Sequence, residues 1–298
     1  MVASNRLLGT VSCAVLLTAC DLPEESDGEG AEETTAASAT SEESGESSDA
    51  PDAGPDGPEL PVEAMARPAQ SMTYDGPGFW HQGEPTRYVA DAKQYFCFLT
   101  AVAGKFAGAS DYVRLTRVMH HNPGGGLTGD ISWELAGGYA TQDAMAGVNC
   151  VPLLYYGVNL TYSAEYLWNQ YSPPVDLGTS NSRICFLTQM SGNFDSGGDR
   201  IEVYTWNGRW WLSGGAASGG VLGGARCVNT PGQAGPFYWS QGMPPQVMKD
   251  TNWRCGLTQV RGKFEGWGEY VGVSHEDGYW HLQGTSYQTG VAGAGHCM

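Results

Sequence analysis

The chain has 298 residues, of which 32 are acidic and 15 basic, and this imbalance is concentrated near its beginning. Residues 21–66 hold 15 of the acids and no Lys or Arg, so residues 67–298 are close to neutral. A nearly neutral region argues against a nucleic-acid partner, because binding phosphate requires a clustered basic face. The only long apolar run ends at residue 20, so we expect no transmembrane helix after it.

Residues 1–19 have the pattern of a signal peptide. Arg6 precedes an apolar run from Leu7 to Leu17, and small residues follow. The motif Leu17-Thr18-Ala19-Cys20 resembles the lipobox of bacterial lipoproteins at all four positions. The resemblance implies cleavage before Cys20 and its acylation, for example with palmitate. It also implies a lipid anchor in the inner or outer membrane of a bacterial cell envelope, with the protein in the periplasm or at the cell surface. An ordinary secretory signal is the alternative.

Residues 20–70 contain the Cys predicted to be lipidated and a stretch rich in Glu, Ser, Ala, Gly, Asp and Pro. With almost no aromatic or branched apolar residues, this stretch cannot bury enough surface to offset its chain entropy. We therefore predict a disordered acidic tether. The alternative is that the acidic residues themselves bind cations or a basic partner.

Three segments, 71–151, 152–228 and 229–298, share one spacing of Cys, Gly and aromatic residues, which predicts three tandem repeats. The first Cys of each segment, here called the opening Cys, begins a Cys-x-Leu-Thr motif and is followed by a Gly and a Phe seven and nine residues later. A Trp-x-Leu-x-Gly motif follows, 13 residues before the closing Cys, and a Trp-x-Gln-x-x-Pro motif precedes the opening Cys. The motif tryptophans are Trp80, Trp133, Trp168, Trp210, Trp239 and Trp280.

Six cysteines remain once Cys13 is assigned to the signal peptide and Cys20 to the lipid. Six cysteines allow 15 pairings, but the repetition selects Cys97–Cys150, Cys185–Cys227 and Cys255–Cys297. A zinc site would need close pairs such as Cys-x-x-Cys, and the sequence has none. We therefore predict three disulfides, no metal and no cofactor.

The local pattern within each segment is that of β-strands. Apolar and polar residues alternate, and Asn207-Gly208 and Asp277-Gly278 are strong hairpin signals. We predict an all-β fold of three disulfide-stapled repeats with about four antiparallel strands each. Twelve strands in three like units resemble, in number only, pseudo-threefold folds such as trefoils and prisms, many of which are lectins. A chain of three separate beads on a string is the alternative.

Motifs of common enzyme classes do not occur in the sequence, so we predict a protein that is not an enzyme. His120 and His121, with Asp130, lie in and around a Gly-rich insertion that only the first segment has. A hydrolase with its site in this insertion is the least favoured interpretation, because a flexible polar loop explains the same residues.

Two groups of residues are candidate ligand contacts. Asp111, Asp199 and Glu269 each lie 14 residues after an opening Cys, although an acid in a turn often accepts backbone N–H groups instead. Trp206, Trp211 and Trp267 occupy positions that do not repeat, where an exposed ring can stack on a sugar or contact a protein. The alternative is that these rings cap the seams between repeats. We expect a non-catalytic binding module for carbohydrate or envelope polymer, or else an envelope structural or protein-interaction lipoprotein.

Overall fold

The structure is a computed structural model that describes residues 78–121, 127–138, 144–217, 219–288 and 290–298. The side chains of His121, Leu127, Thr128 and Trp267 are outside this description. The signal peptide, Cys20 and the acidic tether lie outside the described residues and stay predictions. Among the described residues, no helix has both the length and the apolar character needed to cross a membrane.

Twenty strands occur in the part of the chain that the structure describes. The first segment contains β1 (Gly78–His81), β2 (Arg87–Asp91), β3 (Tyr95–Lys105), β4 (Ala107–His121), β5 (Leu127–Gly137) and β6 (Met145–Pro152). The second contains β7 (Leu154–Tyr155), β8 (Val158–Asn159), β9 (Tyr166–Asn169), β10 (Val175–Thr179), β11 (Arg183–Asn193), β12 (Arg200–Trp206), β13 (Arg209–Gly215) and β14 (Leu222–Asn229). The third contains β15 (Ala234–Ser240), β16 (Gln246–Asp250), β17 (Cys255–Arg261), β18 (Glu265–Glu276), β19 (Tyr279–Thr285) and β20 (Ala292–Cys297).

Three antiparallel sheets of six strands each contain all of these strands except β7 and β8, which pair with each other. The strand order is β1-β6-β3-β18-β19-β16 in sheet 1, β2-β5-β4-β11-β14-β9 in sheet 2 and β10-β13-β12-β17-β20-β15 in sheet 3. Each sheet takes three strands from one segment and three from another. The prediction of an all-β fold is confirmed. The beads-on-a-string alternative is wrong, because every sheet contains strands from two segments.

The expected number of about four strands per segment is also wrong, since each segment supplies six strands to the sheets. The additional strands are the first two that each segment contributes, namely β1 and β2, β9 and β10, and β15 and β16. These strands have only four to seven residues. Alternation over so few residues is a weak signal, which is why sequence reasoning missed them.

The two predicted hairpin turns are confirmed. Asn207-Gly208 connects β12 to β13, and Asp277-Gly278 connects β18 to β19. Their φ angles are 50° and 71° in the first turn and 52° and 81° in the second. Both central residues of each turn are thus in the left-handed region, as a type I′ hairpin turn requires. Asn and Asp adopt this conformation more readily than other residues with a Cβ.

The three disulfides are confirmed in the predicted pairing, Cys97–Cys150, Cys185–Cys227 and Cys255–Cys297. Each joins two residues that lie directly opposite each other on adjacent strands, with Cα atoms 3.9 to 4.0 Å apart. Closing loops of this length restricts the unfolded chain and stabilises the fold by roughly 4 kcal/mol per bond in the loop-entropy model. Disulfides persist in oxidising compartments, so the three bonds indicate an extracytoplasmic protein.

One hydrophobic core receives side chains from all three segments, including the six motif tryptophans. Every one of these indole N–H groups donates to a backbone carbonyl. Trp80, Trp168 and Trp239 donate to the residue four positions later, and Trp133, Trp210 and Trp280 donate to the residue two positions before an opening Cys. The core therefore buries these large rings without leaving their polar N–H groups unpaired.

The Gly of each Trp-x-Leu-x-Gly motif is required by a close approach of an indole ring. A Cβ at Gly137 would overlap the ring of Trp80. The same overlap would occur between Gly214 and Trp168 and between Gly284 and Trp239. The two tryptophan motifs of each segment therefore pack directly on each other.

Phe106, Phe194 and Phe264 form a buried ring cluster where the chain passes from one sheet to the next. Their ring centroids are 6.1 to 6.2 Å apart in all three pairs, in edge-to-face geometry. The backbone N–H of each Phe also donates to the carbonyl of another, at 2.7 to 2.9 Å, and the three bonds form a closed cycle. This cycle links all three segments at one point.

We expect Phe194→Ala to lower the free energy of unfolding by about 3–5 kcal/mol, because it removes a fully buried ring and leaves a cavity. Denaturant unfolding of the whole oxidised chain measures this change. Tyr171→Ala is the control, since Tyr171 is 85% exposed, and it should change the free energy by less than about 0.5 kcal/mol. A loss below about 1 kcal/mol for Phe194→Ala would contradict a structural role for the ring cluster.

Candidate binding cleft on sheet 3

Aromatic side chains collect on the outer face of sheet 3. Val203 and Leu212 are paired across β12 and β13 and are buried in the core. Successive side chains of a strand point to opposite faces, so their neighbours Tyr204 and Trp211, which also pair with each other, point outward. Both rings are half-buried. Trp211 therefore faces away from the core.

Trp206 extends this aromatic surface toward the Asn207-Gly208 turn. Its side chain is 60% exposed, and its ring centroid lies 6.3 Å from that of Trp211. The indole N–H of Trp211 donates to the Trp206 carbonyl at 3.3 Å, which fixes the relative position of the two rings. The structure thus brings together two of the three predicted tryptophans. The third, Trp267, belongs to β18 in sheet 1, and its side chain is outside the described residues.

An ion pair borders the aromatic surface on the edge strand β10. Arg209 donates from Nε to the Asp176 carboxylate at 2.9 Å, and Asp176 lies directly opposite Trp211 in the β10–β13 register. The hydrogen bond from Arg209 lowers the pKa of Asp176. Because both groups are solvent-exposed, the pair orients side chains at the rim and adds little stability.

A cleft with a volume of about 100 Å³ opens beside Tyr204. The β12–β17 ladder ends at the pair Glu202–Gln259, and beyond this pair the two strands separate. Gln259 is paired in turn with Ala294 on β20, and Ala294 with Tyr238 on β15, so these residues form one row across the sheet. Because Ala294 is small, the row dips between its larger neighbours. The cleft is lined by Glu202, Val203, Tyr204, Thr205, Pro236, Tyr238, Thr258, Gln259, Ala294 and His296.

Glu202 organises the polar groups of the cleft. Its carboxylate accepts hydrogen bonds from Gln259 Nε2 at 2.9 Å, Arg200 Nε at 3.1 Å and Ser213 Oγ at 3.3 Å. These bonds hold a carboxylate and an amide in defined orientations next to two tyrosine rings. Tyr238, on the opposite side, is 60% exposed. The cleft therefore offers apolar ring faces and fixed hydrogen-bonding groups at the same place.

His296 lies buried in the wall of the cleft. Its Nδ1 is 3.1 Å from Thr258 Oγ1, and its ring lies edge-to-face on Trp210 with centroids 5.1 Å apart. Burial lowers the pKa of His296 from 6.5 to about 4. The imidazole is consequently neutral at neutral pH, and one of its nitrogens is a hydrogen-bond acceptor.

The three predicted carboxylates lie apart from this cleft, and all are buried. Asp111 accepts a hydrogen bond from the Ala107 N–H at 2.8 Å. Asp199 accepts from the N–H groups of Ser196 and Ala217, both at 2.7 Å. These contacts are the turn-stabilising role that short acids commonly have. Glu269 occupies the matching position before the second half of β18.

His120, in the first segment, contacts a serine and a carboxylate, as the histidine of a hydrolase triad does. The arrangement of the three groups, however, is not that of a triad. The Nε2 of His120 lies 2.6 Å from Ser132 Oγ and 3.4 Å from Glu134 Oε1. In a Ser–His–acid triad the acid would instead contact Nδ1, and the nucleophile would be accessible, whereas Ser132 is buried. Asp130 is exposed in β5. Among the described residues, no group of three or more His, Cys, Asp or Glu is placed to hold a metal ion.

The sequence indicates the tryptophans of this face but not the cleft. Tyr204, Tyr238, Glu202, Gln259 and His296 come from four strands of two segments. Only the strand register brings them together, and that register is set by pairing between segments. A usable signal does exist for Tyr204, because the alternation that directs Trp211 outward applies equally to β12.

We expect the protein to lose stability as the pH falls from 6.5 to about 4, because the folded state keeps His296 neutral while the unfolded state binds a proton in this window. The contribution of this one group is about 3 kcal/mol at most. Denaturant unfolding at pH 7 and pH 4.5 should show a smaller pH-dependent loss for His296→Asn than for the wild type. An equal loss in both proteins would contradict the buried, neutral state of His296.

Comparisons with known proteins gave no match to any family model, curated protein or solved structure. The chemistry of the cleft is accordingly inferred from its own groups. These are two tyrosine rings, a carboxylate, an amide and a buried neutral imidazole.

Proposed function

We propose that the protein is a non-catalytic binding protein that holds carbohydrate on the outer face of sheet 3. The observation that carries this proposal is the cleft between Tyr204 and Tyr238, with Glu202 and Gln259 held in one hydrogen-bonded network. Trp206 and Trp211 extend the same face beyond the cleft.

Carbohydrate fits these groups better than other ligand classes do. Aromatic rings with an exposed face suit the apolar face of a sugar ring, and the carboxylate and amide can bond to its hydroxyl groups. The cleft is far smaller than the sites that enclose drug-sized ligands, which favours one sugar unit in the cleft. Further units of a polymer would then lie across Trp211 and Trp206.

The same proposal places the protein in a bacterial cell envelope as a lipoprotein. Its support is the lipobox ending at Cys20 and the three disulfides, which form in an extracytoplasmic compartment. Acyl chains on Cys20 would anchor the chain in the inner or outer membrane. The acidic tether would hold the three sheets away from the lipid surface, within reach of envelope polymers.

We further propose that the three segments are copies of one unit, arranged with pseudo-threefold symmetry. Each segment supplies three strands to one sheet and three to the next, and its disulfide joins the third and sixth of them. The three Phe residues of the cycle lie at matching positions of the three segments, and so do the six indole hydrogen bonds. This arrangement would present three outer faces, of which sheet 3 carries the cleft.

A protein-interaction lipoprotein is the second candidate, and it rests on the β7–β8 hairpin. Leu154, Tyr156 and Val158 are exposed together on this short hairpin. Tyr155 anchors the hairpin by donating to the Asn252 carbonyl at 2.8 Å. Capture of a stoichiometric partner that is lost with Tyr156→Ser would favour this function over carbohydrate binding.

The carbohydrate proposal is tested by screening the whole chain, exported so that its disulfides form, on an array of glycans and bacterial polysaccharides. We expect saturable binding with a change in tryptophan fluorescence. Tyr204→Ala and Trp211→Ala should each weaken it by a factor of about two to ten, since stacking on an aromatic ring contributes about 0.5–1.5 kcal/mol beyond the buried area. Tyr171→Ala, whose ring is exposed elsewhere, is the matched control. Absence of binding to every glycan by the folded, oxidised protein would reject the proposal.

A further inference from the structure

A second cluster of polar groups lies in sheet 2, at the place that the cleft occupies in sheet 3. Arg114 pairs with Gln189 at the last rung of the β4–β11 ladder. On sheet 3, Glu202 and Gln259 occupy the last rung of the β12–β17 ladder. The two sheets thus have the same geometry here, but sheet 2 has an arginine where sheet 3 has a glutamate.

Two guanidinium groups share a single carboxylate oxygen in this cluster. Glu165 Oε2 is 3.1 Å from Arg114 Nη2 and 3.6 Å from Arg226 Nη2. The other oxygen, Oε1, accepts from Thr188 Oγ1 at 3.2 Å. Glu134, the acid on the neighbouring strand β5, contacts His120 and Ser132 instead.

A third guanidinium group adds to the positive charge. Arg117 lies over the Tyr162 ring, 5.2 Å from its centroid, and the described part of the chain gives it no hydrogen bond and no ion pair. Burial lowers the pKa of Arg226, Glu165 raises it, and the like charges of Arg117 and Arg114 lower it. Arg226 is therefore close enough to be repelled by both Arg117 and Arg114, and the Glu165 carboxylate contacts Arg226 and Arg114.

Arg226 is the most buried of the three cations, and its guanidinium carbon lies 5.3 Å from the centroid of the Trp133 ring. Its side chain is only 8% exposed, and its buried Nε has no hydrogen-bond partner among the described residues. Its Nη1 reaches only the Ser163 carbonyl, at 3.3 Å. An excess positive charge in poorly solvated surroundings is unfavourable unless an anion is near. An added anion would remove this imbalance.

We infer that the cluster formed by Arg114, Arg117 and Arg226 binds a small oxyanion group, a carboxylate, sulfate or phosphate. Arg114 is 40% exposed and Arg117 is also exposed, so both can be reached from solvent. Guanidinium groups bind oxyanions through paired, charge-assisted hydrogen bonds. Free inorganic ions and the acidic sugars of envelope polymers carry the same chemistry. This site is independent of the carbohydrate cleft on sheet 3.

Calorimetric titration of the whole oxidised chain tests the inference with three probes, inorganic sulfate, galacturonate and neutral methyl galactoside. We expect saturable binding of sulfate and no effect of the neutral sugar on this site. Arg114→Gln and Arg117→Gln should each weaken sulfate binding by about tenfold, the typical loss of one charge-assisted hydrogen bond. Lys263→Gln is the control, because it removes one positive charge from an ion pair with Glu265 outside the cluster.

The outcomes separate the two sources of the anion. Binding of both sulfate and galacturonate that Arg114→Gln and Arg117→Gln weaken supports a site for acidic sugars, and such binding of sulfate alone supports a site for free ions. No saturable binding of either anion overturns the inference, and so does an equal loss in all three variants, which would report overall charge only. The melting temperature of each variant reports its folding, and the exposed Arg117 keeps the test valid if Arg114→Gln unfolds. Tyr204→Ala should leave sulfate binding unchanged, which distinguishes this site from the sheet 3 cleft.

Discussion

The closed cycle of backbone hydrogen bonds at Phe106, Phe194 and Phe264 is the contact on which the three sheets depend. Each Phe donates to one segment and accepts from another, so the cycle exists only when all three segments are in place. The edge-to-face rings fill the space beside it. The two strands that border the cleft are connected to this cycle by short segments, since β12 follows Phe194 and β17 precedes Phe264. The cycle therefore lies at the paired end of β12 and β17, and the two strands separate further along, at the cleft.

Features that depend on local chemistry could be predicted from the sequence. Asn207-Gly208 predicts its turn because few other residue pairs tolerate two successive left-handed conformations, and a shared Cys spacing predicts the disulfides. Pairing between segments could not be predicted, because alternation tells which face a residue takes and not which strand lies beside it. Glu202 and Tyr238 therefore share a cleft that no local pattern indicates.

The three sheets carry different chemistry at one shared position. This position is the row of residues across the sheet that contains the last pair between the two segments. In sheet 3 the row is Glu202, Gln259, Ala294 and Tyr238. In sheet 2 it is Arg114, Gln189, Gly224 and Leu167, and in sheet 1 it is Gly272, Ala101, Gly147 and Phe79. Sheet 1 is apolar here, and its Ala101 packs with Tyr270 and Phe79 in a small cluster. The scaffold thus holds the position constant while the side chains set its chemistry.

The exchange of strands between segments also determines the order in which the protein can assemble. A chain is synthesised from its amino end, so β1, β6 and β3 exist before β18, β19 and β16, which complete sheet 1. Until then β3 has an unpaired edge, and such an edge invites pairing with the wrong strand. Cys97 and Cys150 both belong to the first segment. Their oxidation needs no later part of the chain. The disulfide can therefore fix the β3–β6 register before β18 pairs with the other edge of β3.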